Sequence, residues 1–267
     1  MTTAAAAARA PRTFALSPGA TRLALRIGAG IALLLLWEGL VTWLTASYVA
    51  RPSGVIKALP HVLSDHLFWT YTRDTVVAVF EGLAIGVGCG TLVGLAMGRL
   101  RDAESLLKFY VNAFFALPTI AVLPLMTLWF GYTGQARLAI VILGAFLPVT
   151  LNVYDGVRRV PTPYIEVSKT YHARWWNVWF GIALPSALPY LLAGLRLAAG
   201  RALVAAVVAE YLLGNIGGLG YFIVFNSRAF HQNDAMVGVL VLAVIGVGIN
   251  VGIDGATRRF LPWYRPS

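Results

Sequence analysis

Four acidic residues lie within or close to long apolar stretches of this sequence, and they are Glu38, Glu81, Glu210 and Asp254. A charged group in such an environment is costly, so it normally has a partner or faces a water-filled cavity. One hypothesis is that Glu81 and Glu210, the deeper two by position, carry protons in a proton-coupled secondary carrier. The structural alternative is a buried hydrogen bond or ion pair to Arg196, Arg201 or the backbone. Glu38 and Asp254 can also lie near an interface.

Residues suited to catalysis or metal binding show no comparable pattern. The four histidines lack metal-ligand spacing, the single cysteine, Cys89, lies in an apolar run, and no serine or cysteine nucleophile has an evident base. A membrane-embedded enzyme is therefore the least favoured class. The sequence contains no G-x-x-x-x-G-K-[ST] motif, so the chain does not bind ATP through a P-loop of its own. We expect no catalytic residue, metal or cofactor in this chain.

The composition indicates a membrane protein. Of the 267 residues, 58% are apolar and only 12% are charged, and the mean hydropathy is +0.73. Soluble proteins carry about 25% charged residues. A helix needs about 20 apolar residues to cross a bilayer, and the sequence predicts six such spans in an all-α polytopic bundle. The predicted spans are 27–48, 75–98, 109–130, 137–155, 188–213 and 235–254.

The distribution of lysine and arginine predicts the orientation of the bundle. If the N-terminus is cytoplasmic, fourteen of the 21 basic residues lie in cytoplasmic segments and five lie in outer segments. This bias predicts that both termini are cytoplasmic. It also relates the net charge of +10 to membrane topology rather than to nucleic-acid binding. Residues 1–26 are rich in alanine and carry four arginines, so we interpret them as a flexible cytoplasmic tail, with a transit or signal peptide as the alternatives.

Prolines and glycines inside two spans predict specific helix geometry. Pro118 and Pro124 each remove a backbone donor and should bend the third span, either as a gate hinge or as a fixed kink. Gly86, Gly90 and Gly94 recur every four residues and therefore share one helix face. Small residues at this spacing allow two membrane helices to approach closely. We expect the second span to pack tightly against a neighbour along this face.

The stretch 166-EVSKTYHARWWNVWFGIALP-185 lies in the longest predicted cytoplasmic loop. Pro161 and Pro163 precede it, and 164–174 has helical capacity, with Glu166 in the first turn where negative charge suits the helix dipole. The sequence thus predicts a short helix on the membrane surface. Its apolar residues are expected to pack inward and three tryptophans to lie at the lipid headgroups. The apolar residues are Ile165, Val167 and Tyr171, and the tryptophans are Trp175, Trp176 and Trp179.

The same stretch resembles the signature of the permease subunits of binding-protein-dependent ABC importers. That signature is E-A-A, three residues, G, nine residues, I, one residue and L-P. Glu166, Ile182 and Leu184-Pro185 stand at the matching positions, Val167-Ser168 replaces the two alanines, and His172 replaces the glycine. Histidine tolerates a left-handed backbone better than most residues, so the turn can persist there.

The likeness covers about 74–263 and is to the branch that serves nitrate, sulfonate, taurine and related small molecules. The runs that carry it are Leu117 to Gly131, the Asn152 region, 187-ALPYLLAGLRLA-198, 207-VVAEYLLG-214, 218-GLGYF-222 and 259-RFLPW-263. The combination of these runs is specific, whereas a single one would not be. The residues themselves do not choose among the substrates of that branch.

This resemblance implies the six-helix fold of type I ABC importers, with 27–263 as a permease domain in a bacterial inner membrane and 156–187 as its cytoplasmic coupling loop. Two permease copies would form the pathway, and a solute-binding protein would deliver the solute from outside. A separate cytoplasmic ATPase dimer would bind ATP and magnesium. The residues that would couple to this ATPase are Glu166, Val167, Ser168, Lys169, Tyr171, His172, Ala173 and Arg174. The candidates for the pathway or gate are Pro118, Pro124, Asn152 and Glu210.

Overall fold

The chain folds into helices, and its structure is a computed structural model that describes residues 18–44, 48–160, 162–178, 181–182 and 184–260. Within these ranges there are eleven α-helices and no β-strand. The helices are α1 (Pro18–Trp43), α2 (Pro52–Ser64), α3 (His66–Arg99), α4 (Arg101–Ala116), α5 (Thr119–Phe130), α6 (Gly134–Arg158), α7 (Thr162–Thr170), α8 (Trp175–Val178), α9 (Leu184–Leu213), α10 (Leu219–Arg228) and α11 (Gln232–Phe260). The all-α fold expected from the sequence is confirmed.

Five of the described helices, α1, α3, α6, α9 and α11, are long and apolar enough to cross a membrane. They correspond to five of the six predicted spans. The predicted third span is instead divided into α4 and α5, whose axes differ by 105°. Counted together, these two helices make a sixth, broken span.

Pro118 explains where the third span breaks. A residue that precedes proline avoids the helical conformation, and Leu117 is extended, with φ −70° and ψ 135°. Pro118 then caps the N-terminus of α5. Pro124, by contrast, lies inside α5 without interrupting it, and its carbonyl oxygen accepts a hydrogen bond of 2.8 Å from the Thr127 hydroxyl. Of the two bends expected from the sequence, only the one at Pro118 divides the helix.

The first helix begins earlier than the sequence predicts. The sequence predicts residues 18–26 to be part of the flexible tail, but α1 starts at Pro18. Proline is favoured at the first helical position because its missing N–H would have no partner there. The side chains of Arg22 and Arg26 are exposed and four residues apart, so they can extend together to the membrane surface. Residues 1–17 of the predicted tail lie outside the described residues.

Helices α3, α6 and α9 form the centre of the bundle, and α3 contacts α6 along most of its length. The expected glycine face is confirmed: a Cβ atom added to Gly86 would lie 2.7 Å from the Ala145 Cβ. One added to Gly94 would lie 2.6 Å from the Thr150 carbonyl oxygen. Such short distances mean that the two backbones approach as closely as a glycine surface permits. This seam fixes the position of α3 against α6, the helices that carry Thr75 and Arg137 described below.

Helix α1 lies at the periphery, and most of its side chains are exposed. Glu38 connects it to α2, because its carboxylate accepts hydrogen bonds from the Ser53 N–H at 3.0 Å and the Ser53 hydroxyl at 2.8 Å. An acid at a helix N-terminus is favourable, since it compensates the unpaired N–H groups and the helix dipole. Glu38 thus has a structural partner near the end of its span.

Candidate functional site

Helix α7 lies between α6 and α9 in the chain and therefore at one end of the bundle, here named the α7 end. The opposite end, where α9 leads into α10, is named the α10 end. The eight residues expected to couple to an ATPase all belong to α7 or to the turn that follows it. Lys169 lies in α7, but its side-chain position, like those of Ile165 and Trp175, lies outside the described residues, as does Trp179 entirely.

The end of α7 is closed by a left-handed turn at His172. Its φ angle is 48°, and the N–H of Ala173 donates to the carbonyl oxygen of Ser168 at 2.9 Å. A hydrogen bond from an N–H group to the carbonyl oxygen five residues earlier, spanning a left-handed residue, is the Schellman motif that ends many helices. The expected left-handed turn at His172 is confirmed. It also gives a physical reason for glycine at this position of the signature, since glycine has no Cβ penalty there.

Replacing His172 with glycine should leave the fold intact and stabilise the turn by about 1 kcal/mol, because a left-handed residue with a Cβ costs about 1–2 kcal/mol. His172→Val should destabilise it, because β-branched side chains fit a positive φ poorly. Thermal unfolding of the purified variants in detergent measures both changes. Equal melting temperatures for the glycine and valine variants would contradict the assignment.

Tyr164 and Val167 of α7 and Tyr171 directly after it are large side chains that are 62%, 55% and 82% exposed. The sequence predicted that Val167 and Tyr171 pack inward, and this prediction is wrong. Among the described side chains of this segment, Ser168 is the one that is buried. The three exposed residues have the spacing i, i+3, i+7 and therefore form one stripe, with exposed Glu166 beside it. An apolar stripe pointing away from its own chain is a typical surface for a partner protein.

Arg174, in the connection after α7, contacts Trp176 of α8. Its guanidinium carbon lies 3.9 Å from the centroid of the Trp176 ring, a cation–π contact. Trp176 remains partly exposed, at 38%. A partly exposed indole next to a cation suits the lipid headgroup level, as the sequence predicts for the tryptophans of this stretch.

At the α10 end, Glu210 is fully buried in a hydrogen-bonded cluster. Its carboxylate accepts hydrogen bonds from the Thr75 hydroxyl at 2.9 Å and the Gly220 N–H at 2.8 Å, and it pairs with Arg137 Nη1 at 3.0 Å. Thr75 in turn accepts a bond of 2.8 Å from the Leu219 N–H. One carboxylate therefore joins α3, α6, α9 and the start of α10.

The partner of Glu210 differs from the one expected. Arg196 pairs with Asp254, with 2.6 Å between Nη2 and Oδ1, and Arg201 lies over Phe115. The partner of Glu210 is instead Arg137, at the start of the predicted span 137–155. Its separation of 73 residues from Glu210 leaves no local signal that could have indicated the pair.

The other pathway candidates do not gather around Glu210. Asn152 donates to the Pro148 carbonyl oxygen at 2.8 Å and packs against Gly194 of α9. Pro118 and Pro124 are exposed on α5 and its approach. Glu81 is also exposed, in a surface depression that Arg137 shares. The structure thus distributes these residues along the bundle instead of placing them in one site.

A cavity of about 560 Å³ between α5, α6 and α9 was not expected from the sequence, and we name it the α5–α9 cavity. Its wall is mostly apolar, and its charged residues are Arg196 and Arg201. Both arginines lie within the predicted span 188–213, and two charges inside an apolar stretch are the feature of the sequence that could have indicated this cavity.

The sequence of this chain is similar to those of known membrane transport proteins. Residues 86–266 match the family described as the binding-protein-dependent transport system inner membrane component. Relatives include the putative aliphatic sulfonates transport permease protein SsuC of Bacillus subtilis, at 29% identity over 82% of this chain and 79% of that protein. The formylaminopyrimidine transport permease protein ThiX of Halalkalibacterium halodurans is 30% identical over 87% and 93% of the two chains. The taurine transport system permease protein TauC of Escherichia coli is 27% identical over 92% of each.

Solved structures show the same fold. A crystal form of the MetNI methionine ABC transporter in inward-facing conformations aligns with a TM-score of 0.58 at 21% identity, over 72% of this chain and 93% of that one. An amino acid ABC transporter crystallised with histidines aligns with a TM-score of 0.62 at 15% identity, over 75% and 97%. The relatives are transport permeases and not enzymes, and the chain is a multi-pass membrane protein. This chain belongs to the family of binding-protein-dependent transport system inner membrane components, the permeases of ABC importers.

Proposed function

We propose that two copies of this chain form the pathway of an ABC importer for a small sulfonate-like anion. A separate cytoplasmic ATPase dimer, which binds ATP and magnesium, docks on the α7 end. A solute-binding protein delivers the solute at the α10 end. This arrangement requires the α7 end and both termini to be cytoplasmic, in agreement with the excess of lysine and arginine in those segments.

The observation that carries this proposal is the exposed stripe of α7. Tyr164, Val167 and Tyr171 point away from the bundle next to exposed Glu166, while the Schellman turn at His172 fixes where the helix ends. An amphipathic helix that presents its apolar face outward is suited to a groove on a partner protein. The match to this transport family, together with the lack of a P-loop motif in this sequence, supports an ATPase as that partner.

The proposed substrate class rests on the relatives and on the charge of the bundle. Two of the relatives are described as aliphatic sulfonate and taurine permeases. Both substrates carry a sulfonate group. Within this chain, the α5–α9 cavity contains two arginines, which can compensate an anion in an apolar environment.

Glu166→Arg should abolish ATPase association and solute uptake while leaving the permease folded, because reversing an exposed charge disturbs a docking surface rather than a core. Asp102→Arg is the matched control, since Asp102 is also exposed at the α7 end but belongs to α4. Co-purification with the ATPase and ATP-dependent uptake into proteoliposomes measure the effect. Unchanged assembly and uptake in Glu166→Arg would contradict the docking role. Uptake by this chain alone under a pH gradient would instead identify a proton-coupled carrier.

A further inference from the structure

The α5–α9 cavity holds two arginines near the middle of α9. Arg196 and Arg201 lie close to the centre of this 30-residue helix. With a rise of about 1.5 Å per residue, each lies about 18 Å from the nearer end of α9, so both charges belong to the middle of a helix long enough to cross a bilayer. The surrounding wall is apolar and includes Ile120, Leu123 and Val204.

The two arginines differ in how their charge is compensated. Arg196 forms an ion pair with Asp254 from α11. Arg201 lies over the Phe115 ring, with 4.1 Å between its guanidinium carbon and the ring centroid, and none of the ion pairs among the described residues includes it. A guanidinium keeps its charge in proteins. The α5–α9 cavity therefore has a net positive charge, which is located on Arg201.

The cavity opens to the outside of the single chain. Ile120, Leu197 and Val204 around it are 52%, 45% and 63% exposed. An arginine facing hydrocarbon at mid-span would be costly, so this face must border water or protein. The inference below rests on the importer proposed above. In that importer, the open side of the α5–α9 cavity borders the pathway between two permease copies.

We infer that Arg201 binds the head group of a small oxyanion, such as a sulfonate or carboxylate, as it passes through the α5–α9 cavity. A guanidinium offers paired N–H donors that match two oxygens of such a group. The apolar wall formed by Ile120, Leu123 and Val204 contacts the hydrocarbon part of the solute. Arg196 is neutralised by Asp254 and shapes the site without adding net charge.

A single-cysteine reporter tests this assignment directly. The sequence contains one cysteine, Cys89, so Cys89→Ser combined with Val204→Cys places one thiol in the cavity wall. In phosphatidylcholine vesicles, butane-1-sulfonate should slow the reaction of this thiol with N-ethylmaleimide, whereas butylammonium should not. Adding Arg201→Gln should raise the sulfonate concentration needed for protection about tenfold or more, because a charge-assisted hydrogen bond is lost. Arg201→Lys should retain part of the protection.

Three results would overturn the inference. They are no protection by butane-1-sulfonate, equal protection by butylammonium, and protection that survives Arg201→Gln. A matched labelling rate without sulfonate shows that the Arg201→Gln cavity is intact. If phosphatidylglycerol vesicles alone protect the thiol through Arg201, the ligand is a lipid and the solute assignment is wrong. Because this assay uses the full chain without ATPase or binding protein, its failure is separate from failure of the Glu166→Arg test.

Discussion

Replacing Gly94 with alanine should destabilise the bundle by about 1–3 kcal/mol, the usual cost of adding a methyl group to a well-packed interface. The added Cβ would lie 2.6 Å from the Thr150 carbonyl oxygen and 2.9 Å from the Val153 Cβ. The carbonyl oxygen belongs to the backbone of α6 and cannot turn away as a flexible side chain would. Relief therefore requires α3 and α6 to separate, which weakens the contacts along the whole seam. The melting temperature should fall by about 2–12 °C in tryptophan-monitored thermal unfolding.

Gly88 provides the matched control for this substitution. It lies in the same helix, it is exposed, and a Cβ added there would meet nothing within 4 Å. Gly88→Ala should be neutral or stabilise the helix by up to about 1 kcal/mol, because alanine is the better helix former. Of the two Gly→Ala changes, only Gly94→Ala is therefore expected to destabilise the protein. If Gly94→Ala were as stable as Gly88→Ala, the close approach of α3 and α6 would be disproved.

Replacing Glu210 with glutamine should destabilise the protein by about 3–5 kcal/mol, because it leaves the largely buried charge of Arg137 without its partner. The substitution keeps the volume of the side chain, so the loss reports on charge and hydrogen bonding rather than on a cavity. The α10 end should open first, since Thr75 and the backbone of Gly220 donate to the same carboxylate. Hydrogen exchange at the start of α10 should rise accordingly.

A double-mutant cycle separates this pair from its surroundings. Arg137→Gln alone leaves the carboxylate uncompensated, whereas the double variant Glu210→Gln with Arg137→Gln removes both charges. The double variant should therefore lose less stability than the sum of the two single variants, by about 0.5–3 kcal/mol. Glu81→Gln is the control, because Glu81 is exposed on α3. Strict additivity would show that Glu210 and Arg137 do not interact in the folded protein.

The sequence alone predicted the features that depend on residues close together along the chain. Five of the six predicted spans, the expected bend at Pro118 and the glycine face of α3 follow from apolar length, proline chemistry and a four-residue repeat, all of which act within one segment. The turn at His172 could be predicted for the same reason, since a left-handed helix end needs only a few consecutive residues. The resemblance of the α7 region to the permease signature likewise depends on spacing along the chain.

The tertiary structure decided which segments meet. Glu210 and Arg137 are 73 residues apart, and Thr75 is 135 residues from Glu210, so only the packing of α3, α6 and α9 brings them together. The direction of α7 was also unpredictable, because an apolar stripe can face its own bundle or a partner equally well by periodicity alone. Arg201 is visible in the sequence as a charge within a span, but the packing of the helices decides that none of the described acidic residues forms an ion pair with it. Local chemistry defines the helices of this protein, whereas the packing between helices decides which of the described charges are paired.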